Sequence, residues 1–293
     1  MQLAGRVAVV TGAAGGIGKA ICDRFGHERM KVVAADLDSV ALDAAVEDLR
    51  AKSLDVTGVP VDVTKRESVE SLRDAAVDAY GAVHVLCNNA GIANTAFGNV
   101  WEHENNDWRW SLEVHLFGVI NGCATFVPWL LDHDDEGWIV NTVSGNGGVV
   151  PLPDSAPYAL AKASIVTYTE CLWAQLRAAA GSRVGASLLF PSGYTPGVLN
   201  TGIWNESVRP PEFARSTSRP LRRGLDAWVE RMRDSGQDVR FTPLEEVADQ
   251  VATGILEDRF WMLAPSERTD RQIRARAESM ILRAQPDYML PDQ

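Results

Sequence analysis

Short apolar runs alternate with longer amphipathic stretches along most of the chain. The runs are rich in Val and Ala and stay apolar at consecutive positions, which is typical of strands buried on both faces. They predict seven strands, at residues 6–11, 31–36, 55–61, 83–88, 138–143, 184–190 and 259–264. The stretches between them predict helices near residues 16–29, 39–52, 65–80, 104–131, 155–180 and 243–258. This alternation indicates an α/β fold, a doubly wound parallel sheet with helices on both faces.

Two regions depart from that alternation. Residues 192–242 separate the sixth and seventh predicted strands by an unusually long segment, and residues 266–293 follow the last strand as a charged, helical tail. Seven strands with their helices fit one domain over residues 1–293. We therefore predict a single domain that carries a long insertion, and the insertion is long enough to act as a lid over a binding site.

The composition narrows the possible functions. Of the 293 residues, 46% are hydrophobic and 23% charged, as in an ordinary globular protein, and the net charge of -11 disfavours nucleic acid and anionic membranes as partners. The first residues lead directly into a strand with no sign of a signal peptide, and no apolar run approaches the roughly 20 residues that a membrane span needs. These features predict a cytoplasmic protein.

Cysteine usage gives no sign of metal binding or disulfide formation. Cys22, Cys87, Cys123 and Cys171 are widely spaced, form no CxxC pair and have no histidine cluster beside them. Each lies in an apolar or helical context, which favours buried free thiols. We predict no metal site.

The first predicted strand runs into the segment TGAAGGIG, residues 11–18, which opens the first helix. In that context Gly12 allows a tight turn, Gly16 lets the backbone approach a pyrophosphate, and Gly18 lets the helix pack close to the sheet. The helix N-terminus then offers free N–H groups to the phosphates. The loop residues expected to contact a dinucleotide are Gly12, Gly15, Gly16, Ile17 and Gly18.

An acidic residue ends the second predicted strand. Asp36 lies about 20 residues past the glycine loop, where a carboxylate bonds the adenosine ribose hydroxyls. It is followed by Leu37 rather than by a basic residue, so a 2′-phosphate would be repelled and NAD(H) is favoured over NADP(H). The alternative is that Asp36 only caps the next helix.

A tyrosine and a lysine stand four residues apart in the segment SAPYALAKAS, residues 155–164. Tyr158 and Lys162 therefore share one helical face and can reach the same space. The spacing alone is equally typical of an ordinary surface helix.

Taken together, these motifs resemble the short-chain dehydrogenase/reductase family in its single-domain, Rossmann-like form. TGAAGGIG resembles the family's TGxxxGxG, NNAG at 88–91 matches the family tetrapeptide, and Tyr158 and Lys162 fall at its YxxxK positions. The strand segment IVNTVSG resembles the one that ends in the catalytic serine, three residues after its Asn, here Ser144. The resemblance also implies cofactor contacts from Asp62, Val63, Asn89, Ala90, Gly91, Tyr158 and Lys162.

The implied chemistry explains the residue types at these positions. Oxidising an alcohol requires removal of the hydroxyl proton while a hydride leaves for the nicotinamide, and a free tyrosine has too high a pKa for that task near neutral pH. We expect the Lys162 ammonium to lower the pKa of Tyr158. Ser144 is expected to hold the substrate oxygen.

One residue departs from the family pattern in the helix before the serine strand. His115, in the segment EVHLFGVING, occupies the position of the family's Asn, and the resemblance implies that this position holds a water in a proton path from the lysine. Histidine can donate and accept, so His115 is a candidate for the same role. It is equally consistent with a packing residue, and a third alternative is a damaged relay.

A second departure follows the sixth predicted strand. The family's PGxVxT segment, which touches the nicotinamide carboxamide, has two candidate registers here. In one, Pro191 follows the strand directly and the contacts come from Gly193 and Thr195. In the other, PGVLNT at 196–201 supplies them. The sequence leaves both open.

Three loops are expected to form the substrate pocket, at residues 92–103, 145–154 and 192–242. They contribute a largely apolar and aromatic set: Phe97, Trp101, Val149, Val150, Leu152, Tyr194, Leu199, Trp204 and Trp228. This set favours a bulky hydrophobic alcohol or ketone, such as an aryl, terpenoid or steroid-like compound. Six arginines of the insertion, at 215, 219, 222, 223, 231 and 233, favour a solvated helix face over an anionic ligand.

The predicted function is an NAD-dependent oxidoreductase that interconverts a secondary alcohol and its ketone. An NADPH-linked 3-oxoacyl-type reductase is the alternative within enzymes, and Asp36 disfavours it. A weakly active dinucleotide-binding sensor is the alternative outside them, and only His115 favours it. The family resemblance also implies a homodimer or homotetramer.

Overall fold

Seven parallel strands form a single sheet in the order β3-β2-β1-β4-β5-β6-β7. The computed structural model describes residues 1–92, 98–133, 135–192, 199–204, 209–216, 229–230, 233–234 and 240–290. The strands are β1 (Val7–Thr11), β2 (Lys31–Asp36), β3 (Val56–Pro60), β4 (Val85–Asn88), β5 (Gly137–Thr142), β6 (Val184–Leu189) and β7 (Trp261–Met262). The predicted α/β fold with a doubly wound parallel sheet is confirmed.

The helices lie close to their predicted positions. They are α1 (Gly16–His27), α2 (Ser39–Ala51), α3 (Arg66–Tyr80), α4 (Asn105–Leu112), α5 (Gly118–Asp132), α6 (Ala156–Ala178), α7 (Leu244–Leu256) and α8 (Glu267–Leu282). Helix α8 forms most of the predicted C-terminal tail and buries none of its residues. The assignment of the whole chain to one domain with a lid over 192–242 stays a prediction.

The sheet separates two hydrophobic cores, which explains why the strands carry apolar residues on both faces. Ala8 and Val10 of β1 face a core that includes Phe25 of α1 and Val251 of α7. Val9 faces the opposite core, where α3, α5 and α6 contribute residues such as Leu72, Phe126 and Ile165. Each fully buried side chain of this size contributes about 1.5–3 kcal/mol to stability.

The helix predicted near residues 104–131 is divided in the structure. Between α4 and α5, residues Glu113–Phe117 form a π-helical turn, and the Gly118 N–H donates to the carbonyl of Glu113 five residues back. Such turns are rare and occur frequently at functional sites. The turn holds His115 at its centre, and it was not predicted because a single extra residue leaves the apolar spacing on each side intact.

The same helical stretch corrects the prediction that no apolar run is long enough to cross a membrane. By length and composition alone, the stretch Asn105–Asp132 passes that test, and an 18-residue window within it has a mean hydropathy of 1.5. Its apolar residues have another explanation in this fold. Val119, Cys123, Phe126 and Leu130 pack into the second core beneath the sheet.

Cysteine burial agrees with the prediction at three of four positions. Cys22, Cys87 and Cys123 are buried free thiols, whereas Cys171 is free but exposed. Burial raises the pKa of Cys123 to about 12. Cys171 was predicted to be buried, and that is wrong because it lies on the outer face of the long helix α6, away from Ile165 and Leu172, which turn inward.

The strand order indicates where a ligand would bind along the edge of the sheet. Connections run outward in one direction from β1 to β3 and in the other from β4 to β7, so the order reverses between β1 and β4. In open α/β sheets, ligands bind outside the carboxyl ends of the strands at this point.

Candidate active site

A cavity of about 860 Å³ lies at the carboxyl ends of the strands. It brings together nearly all of the predicted site residues that the structure describes: Gly12, Gly15, Gly16, Ile17, Gly18, Asp36, Leu37, Asp62, Val63, Asn89, Ala90, Gly91, Ser144, Tyr158, Lys162 and Pro191. His115 is not in the cavity wall but lies directly behind Gly91. Gly193 and Thr195 lie outside the described residues.

The glycine loop is a cradle that larger residues would fill. A Cβ on Gly18 would lie 2.0 Å from the carbonyl oxygen of Gly12, so helix α1 can approach β1 this closely only without a side chain. Gly12 itself has φ +69, and a Cβ there would lie 2.8 Å from the Cα of Ala90. No atom lies within 4 Å of the Cβ position of Gly15, so the loop leaves open space at the first turn of α1. This arrangement fits a pyrophosphate at a helix N-terminus.

Thr11 fastens the glycine loop to the NNAG segment. Its Oγ1 accepts hydrogen bonds from the backbone N–H groups of Asn89 (3.0 Å) and Ala90 (3.1 Å). The Asn89 side chain in turn donates to the carbonyl of Thr11 at 3.0 Å. Below them, the buried amide of Asn88 donates to Asn141 of β5 at 2.9 Å. The floor of the cavity is therefore fixed by polar bonds across the point where the strand order reverses.

Asp36 is held in place by backbone donors. Its two carboxylate oxygens accept from the N–H of Ala14 (3.0 Å) and the N–H of Asp38 (3.1 Å). Leu37, whose side chain is 60% exposed, lines the cavity next to it. Among the described residues of the cavity wall, Lys162 is the only lysine or arginine, and it lies at the other end.

Asp62 lies further along the same end of the cavity. Its Oδ1 accepts from the N–H and the hydroxyl of Thr64, at 3.0 and 2.7 Å, which leaves Oδ2 for a ligand. The carbonyl of the neighbouring Val63 accepts from the Asn121 side chain at 2.9 Å. Both residues are thus oriented from the loop after β3, as the family resemblance implies.

Ser144, Tyr158 and Lys162 meet where β5 ends and α6 begins. Ser144 follows β5 by two residues, and its hydroxyl lies close enough to Tyr158 to act on the pKa of that phenol. The Lys162 Nζ donates to the carbonyl of Thr142 at 3.0 Å and lies 5.7 Å from the centre of the Tyr158 ring. Tyr158 and Lys162 occupy one face of α6, as their spacing predicts.

The electrostatics of these three residues differ from the expectation. Burial raises the pKa of Tyr158, and the nearby Ser144 hydroxyl opposes that rise. Burial also lowers the pKa of Lys162 to about 7. The expected lowering of the Tyr158 pKa by Lys162 is therefore not found in this structure, because the ammonium is directed at the Thr142 carbonyl and burial has weakened its charge.

His115 is a buried, neutral imidazole beside this group. Burial and the nearby Lys162 charge hold its pKa well below the usual value. Its Nε2 lies 2.8 Å from the carbonyl of Ile92, so Nε2 carries the proton and Nδ1 is an acceptor. That Nδ1 is buried without a hydrogen-bond partner. The ring also packs edge-on against Tyr158 and lies against Gly91.

The loop after β6 approaches the glycine loop through its later residues. Thr201 lines the cavity, and its Cβ lies 3.2 Å from the Cβ position of Gly16. Pro191 also lines the cavity. Thr201 is the last residue of the second candidate register, PGVLNT. The sequence analysis thus offered this segment as an alternative but did not name Thr201 as a site residue.

The substrate end differs from the prediction in several residues. Leu152 and Leu199 line the cavity as expected. Trp101 does not, because its side chain points to solvent and is 82% exposed. Val149 and Val150 pack into the second core instead. Phe97, Tyr194 and Trp228 lie outside the described residues, as does the side chain of Trp204.

Two aromatic residues of the cavity wall were missed. Trp110 of α4 is 2% exposed and Phe213 of the insertion is 8% exposed, and both line the cavity. Trp110 and Val114 lie four residues apart and both face the cavity, a spacing that could have indicated a shared face. Nothing local marks Phe213. Arg215 was predicted to lie on a solvated face, but it is paired with buried Asp107, whereas Arg233 is exposed as predicted.

Comparison with known proteins shows which sequences and structures this chain resembles. A family model described as short chain dehydrogenase matches residues 6–208. The 1-deoxy-11-beta-hydroxypentalenate dehydrogenase of Streptomyces exfoliatus is 34% identical over 276 residues, which cover 94% of this chain and 88% of that protein. The 3beta-hydroxysteroid dehydrogenase 1 of Eggerthella lenta is 34% identical over 224 residues, covering 76% and 82%.

A solved structure shares the whole architecture. A short chain dehydrogenase/reductase from Burkholderia phymatum, crystallised with NAD, is 35% identical with a TM-score of 0.86, covering 100% of this chain and 99% of that one. Another similar structure holds NADPH. The comparisons therefore indicate a nicotinamide dinucleotide. They do not distinguish NAD from NADP, so that choice depends on the residues around the adenosine ribose.

Proposed function

Because the chain belongs to the short-chain dehydrogenase/reductase family and is an oxidoreductase acting on CH–OH groups, we propose that it is an NAD-dependent enzyme for a bulky hydrophobic secondary alcohol and its ketone. The observation that carries the proposal is the meeting of Ser144, Tyr158 and Lys162 at one cavity whose far end holds Asp36.

Tyr158 acts as the general acid and base. In the oxidative direction its phenolate oxygen takes the hydroxyl proton of the alcohol, and in the reductive direction its hydroxyl returns a proton to the carbonyl oxygen. The proximity of Ser144 to Tyr158 in one cavity wall supports this role, because a substrate oxygen held by the Ser144 hydroxyl would lie beside the tyrosine. Ser144 is itself positioned at the end of β5, where its Oγ accepts from the N–H of Asn146 at 3.2 Å.

Lys162 is the residue that supplies a proton to Tyr158 and takes it back. Its pKa of about 7 lets the ammonium release and recover a proton at neutral pH, which supports a role in resupplying Tyr158.

The cofactor, when bound, supplies the chemistry of hydride transfer. The glycine loop from Gly12 to Gly18 would hold its pyrophosphate, Asp36 its adenosine ribose, and Asp62 and Val63 its adenine. Asn89, Ala90, Gly91 and Thr201 would line the path towards the nicotinamide. These assignments follow from the cradle that the glycines form and from the carboxylates around it.

The charges around the ribose site favour NAD over NADP. Asp36, Asp38 and Asp62 line that end of the cavity, and no described wall residue there is basic. A 2′-phosphate would face these carboxylates without a counter-ion. This disfavours the alternative of an NADPH-linked 3-oxoacyl-type reductase.

The substrate end favours a large apolar molecule. Trp110, Leu152, Leu199, Ile203 and Phe213 line it. The hydroxysteroid and hydroxypentalenate dehydrogenases named among the relatives support the same class of substrate. A small acid or a sugar would find few polar partners on this wall.

We propose that His115 takes the place of the family's Asn in the proton path. Its Nδ1 is a buried acceptor without a protein partner, and the Lys162 charge acts on the ring. A bridging water that donates to Nδ1 would satisfy the acceptor and connect it to the lysine. This disfavours the weakly active sensor, in which the relay is lost.

The first test is a pair of titrations of the purified protein with NADH and NADPH, followed by quenching of tryptophan fluorescence. We expect NADH to bind about tenfold more tightly or better, because each unpaired carboxylate near a 2′-phosphate costs about 1 kcal/mol or more. The double variant Asp36→Ser/Leu37→Arg should reverse the preference. Equal binding of both cofactors by the unmodified protein would contradict the NAD assignment.

The role of His115 is tested by His115→Asn, measured as kcat with NAD⁺ and a two-ring secondary alcohol such as 1-decalol. An unchanged or lower kcat supports a working relay through the histidine. A large rise in kcat would mean that the histidine damages the relay, in favour of the sensor alternative.

A further inference from the structure

A buried cluster of charges fastens part of the long insertion to helix α4. The Asp107 carboxylate is 0% exposed and accepts from Arg209 Nη2 at 2.8 Å and from Arg215 Nε and Nη2 at 2.9 and 2.8 Å. It also accepts from the N–H of Glu104 at 3.1 Å, which caps the helix. We call residues 209–216 the strap.

Further bonds hold the strap along the same helix end. The N–H and the hydroxyl of Ser216 donate to Glu104 Oε2 at 2.7 and 2.9 Å. The Asn106 side chain donates to the carbonyl of Ala214 at 2.7 Å. Both ends of the strap are therefore fixed to the first turn of α4, although more than 100 residues separate them from it in sequence.

The inner side of the strap faces the substrate end of the cavity. Pro210, Glu212 and Phe213 line it. The guanidinium of Arg209 lies 4.5 Å from the centre of the Trp110 ring while it bonds Asp107, and Trp110 lines the same cavity. Trp110 from helix α4 and Phe213 from the strap thus line the same end of the cavity. Asp107 connects the two elements that carry them, because it belongs to α4 and bonds the arginines of the strap.

A buried cluster of this kind is poorly explained by stability alone. Replacing a buried ion pair by well-packed apolar residues is often neutral or stabilising, since desolvation offsets much of the attraction. What the charges supply is one fixed arrangement, because the bidentate pairing of Arg215 with Asp107 permits little other geometry. Burial raises the pKa of Asp107, but the bonds from Arg215 and Arg209 outweigh it and lower that pKa.

We propose that Asp107 is a positioning residue that seats the strap, so that Phe213 closes the substrate end and selects substrates large enough to reach this wall. Asp107 lies outside the cavity wall and acts through Phe213 and Trp110. The proposal deepens the proposed function, since it assumes that the substrate lies between Tyr158 and this wall.

The test compares two variants and their combination. Asp107→Asn keeps the shape and removes the charge, and Phe213→Ala removes the ring but leaves the cluster intact. Each is assayed with NADH against a two-ring ketone, 1-decalone, and a one-ring ketone, cyclohexanone. We expect each variant to lower kcat/KM for 1-decalone about tenfold, through KM, with less than about a twofold change for cyclohexanone.

The double variant separates positioning from a general structural effect. If Asp107 acts through Phe213, the double variant loses no more than Phe213→Ala alone. Multiplied losses, or equal losses for both ketones, would overturn the proposal. Asp132→Asn, an exposed carboxylate at the far end of α5, is the matched control and should change neither ketone.

Amide hydrogen exchange tests the seating without turnover. Exchange at residues 209–216 should become faster in Asp107→Asn and stay unchanged in Asp132→Asn, with NADH affinity within about twofold of the unmodified protein. Unchanged exchange in Asp107→Asn would overturn the proposal. If Asp107→Asn does not fold, Arg215→Gln, which keeps the pair of Asp107 with Arg209, gives the same readout. If the unmodified protein binds NADH but reduces neither ketone, the proposed substrate class fails and exchange alone decides the seating.

Discussion

The two ends of the cavity are built in different ways. The cofactor end consists of backbone groups and mostly short side chains from residues 11–18, 36–38, 62–64 and 89–91, each at or just after the end of a strand. The substrate end consists of large side chains from α4 and from the insertion, joined through the buried charges around Asp107. We therefore expect the first end to be restricted to one class of ligand, and the second to change its specificity when a few side chains are altered, without disturbance of the sheet.

The largest effect is expected where the two ends meet. Tyr158→Phe removes the hydroxyl but keeps the ring that packs against His115. We expect kcat to fall about 1,000-fold, since general acid–base catalysis contributes about 10²–10⁴-fold, with a far smaller change in NADH affinity. The measurement is single-turnover reduction of 1-decalone.

The matched control for that variant is Tyr168→Phe, on the same helix but outside the cavity wall. It should retain nearly full activity. Unimpaired turnover by the Tyr158→Phe protein would contradict the catalytic assignment of Tyr158. The reaction could then not be placed between the two ends of the cavity.

The cofactor end should tolerate no added side chain at its tightest point. In Gly18→Ala the new Cβ would lie 2.0 Å from the Gly12 carbonyl oxygen, so α1 must move away from β1. We expect NADH affinity to fall about 100-fold. Gly15→Ala, where no atom lies within 4 Å, should keep the melting temperature within about 2 °C. Fluorescence titration and thermal unfolding check both, and tight NADH binding by Gly18→Ala would contradict the cradle.

Lys162 should leave a signature in the pH dependence of stability. Its pKa is about 7 when folded, because burial penalises the ammonium, and near 10.4 when unfolded. Between these values the unfolded chain binds the additional proton, so the free energy of unfolding rises with pH. We expect a rise of about 2 kcal/mol from about pH 7 to about pH 9 that is absent in Lys162→Met.

Urea unfolding at the two pH values measures this difference. Lys65→Met, at an exposed position before α3, should leave the rise unchanged. An equal rise in Lys162→Met and in the unmodified protein would mean that Lys162 is not desolvated in the folded state.

The smallest effect separates true wall residues from aromatic residues nearby in sequence. Trp101→Ala should change KM for 1-decalone less than about twofold, because the side chain is 82% exposed. Trp110→Ala should raise it about tenfold, since that ring lines the cavity. If Trp101→Ala raised KM for 1-decalone as much as about tenfold, residues 98–103 would have to approach the bound substrate.

The same contrast explains which parts of the site could be predicted. The strand runs, the glycine loop and Asp36 are local patterns, and parallel strands bring their ends together without further information. Asp107 and Arg215 carry no local signal of their pairing, because 108 residues separate them and only the folded chain brings them together. The lowered pKa of Lys162 is likewise a property of burial, which the YxxxK spacing does not encode.

The π-helical turn Glu113–Phe117 has a consequence for how this protein could change. One residue corresponds to about 100° of rotation in a helix, so the extra residue in the turn shifts the phase between α4 and α5. Helix α5 can keep its core-facing stripe while α4 presents Trp110 to the ligand. The residues of α4 that face the cavity and the residues of α5 that face the core can therefore change independently, although they belong to one continuous helical stretch. Deleting a single residue within the turn would remove the offset between α4 and α5, so that the cavity-facing and core-facing positions could no longer both keep their orientation.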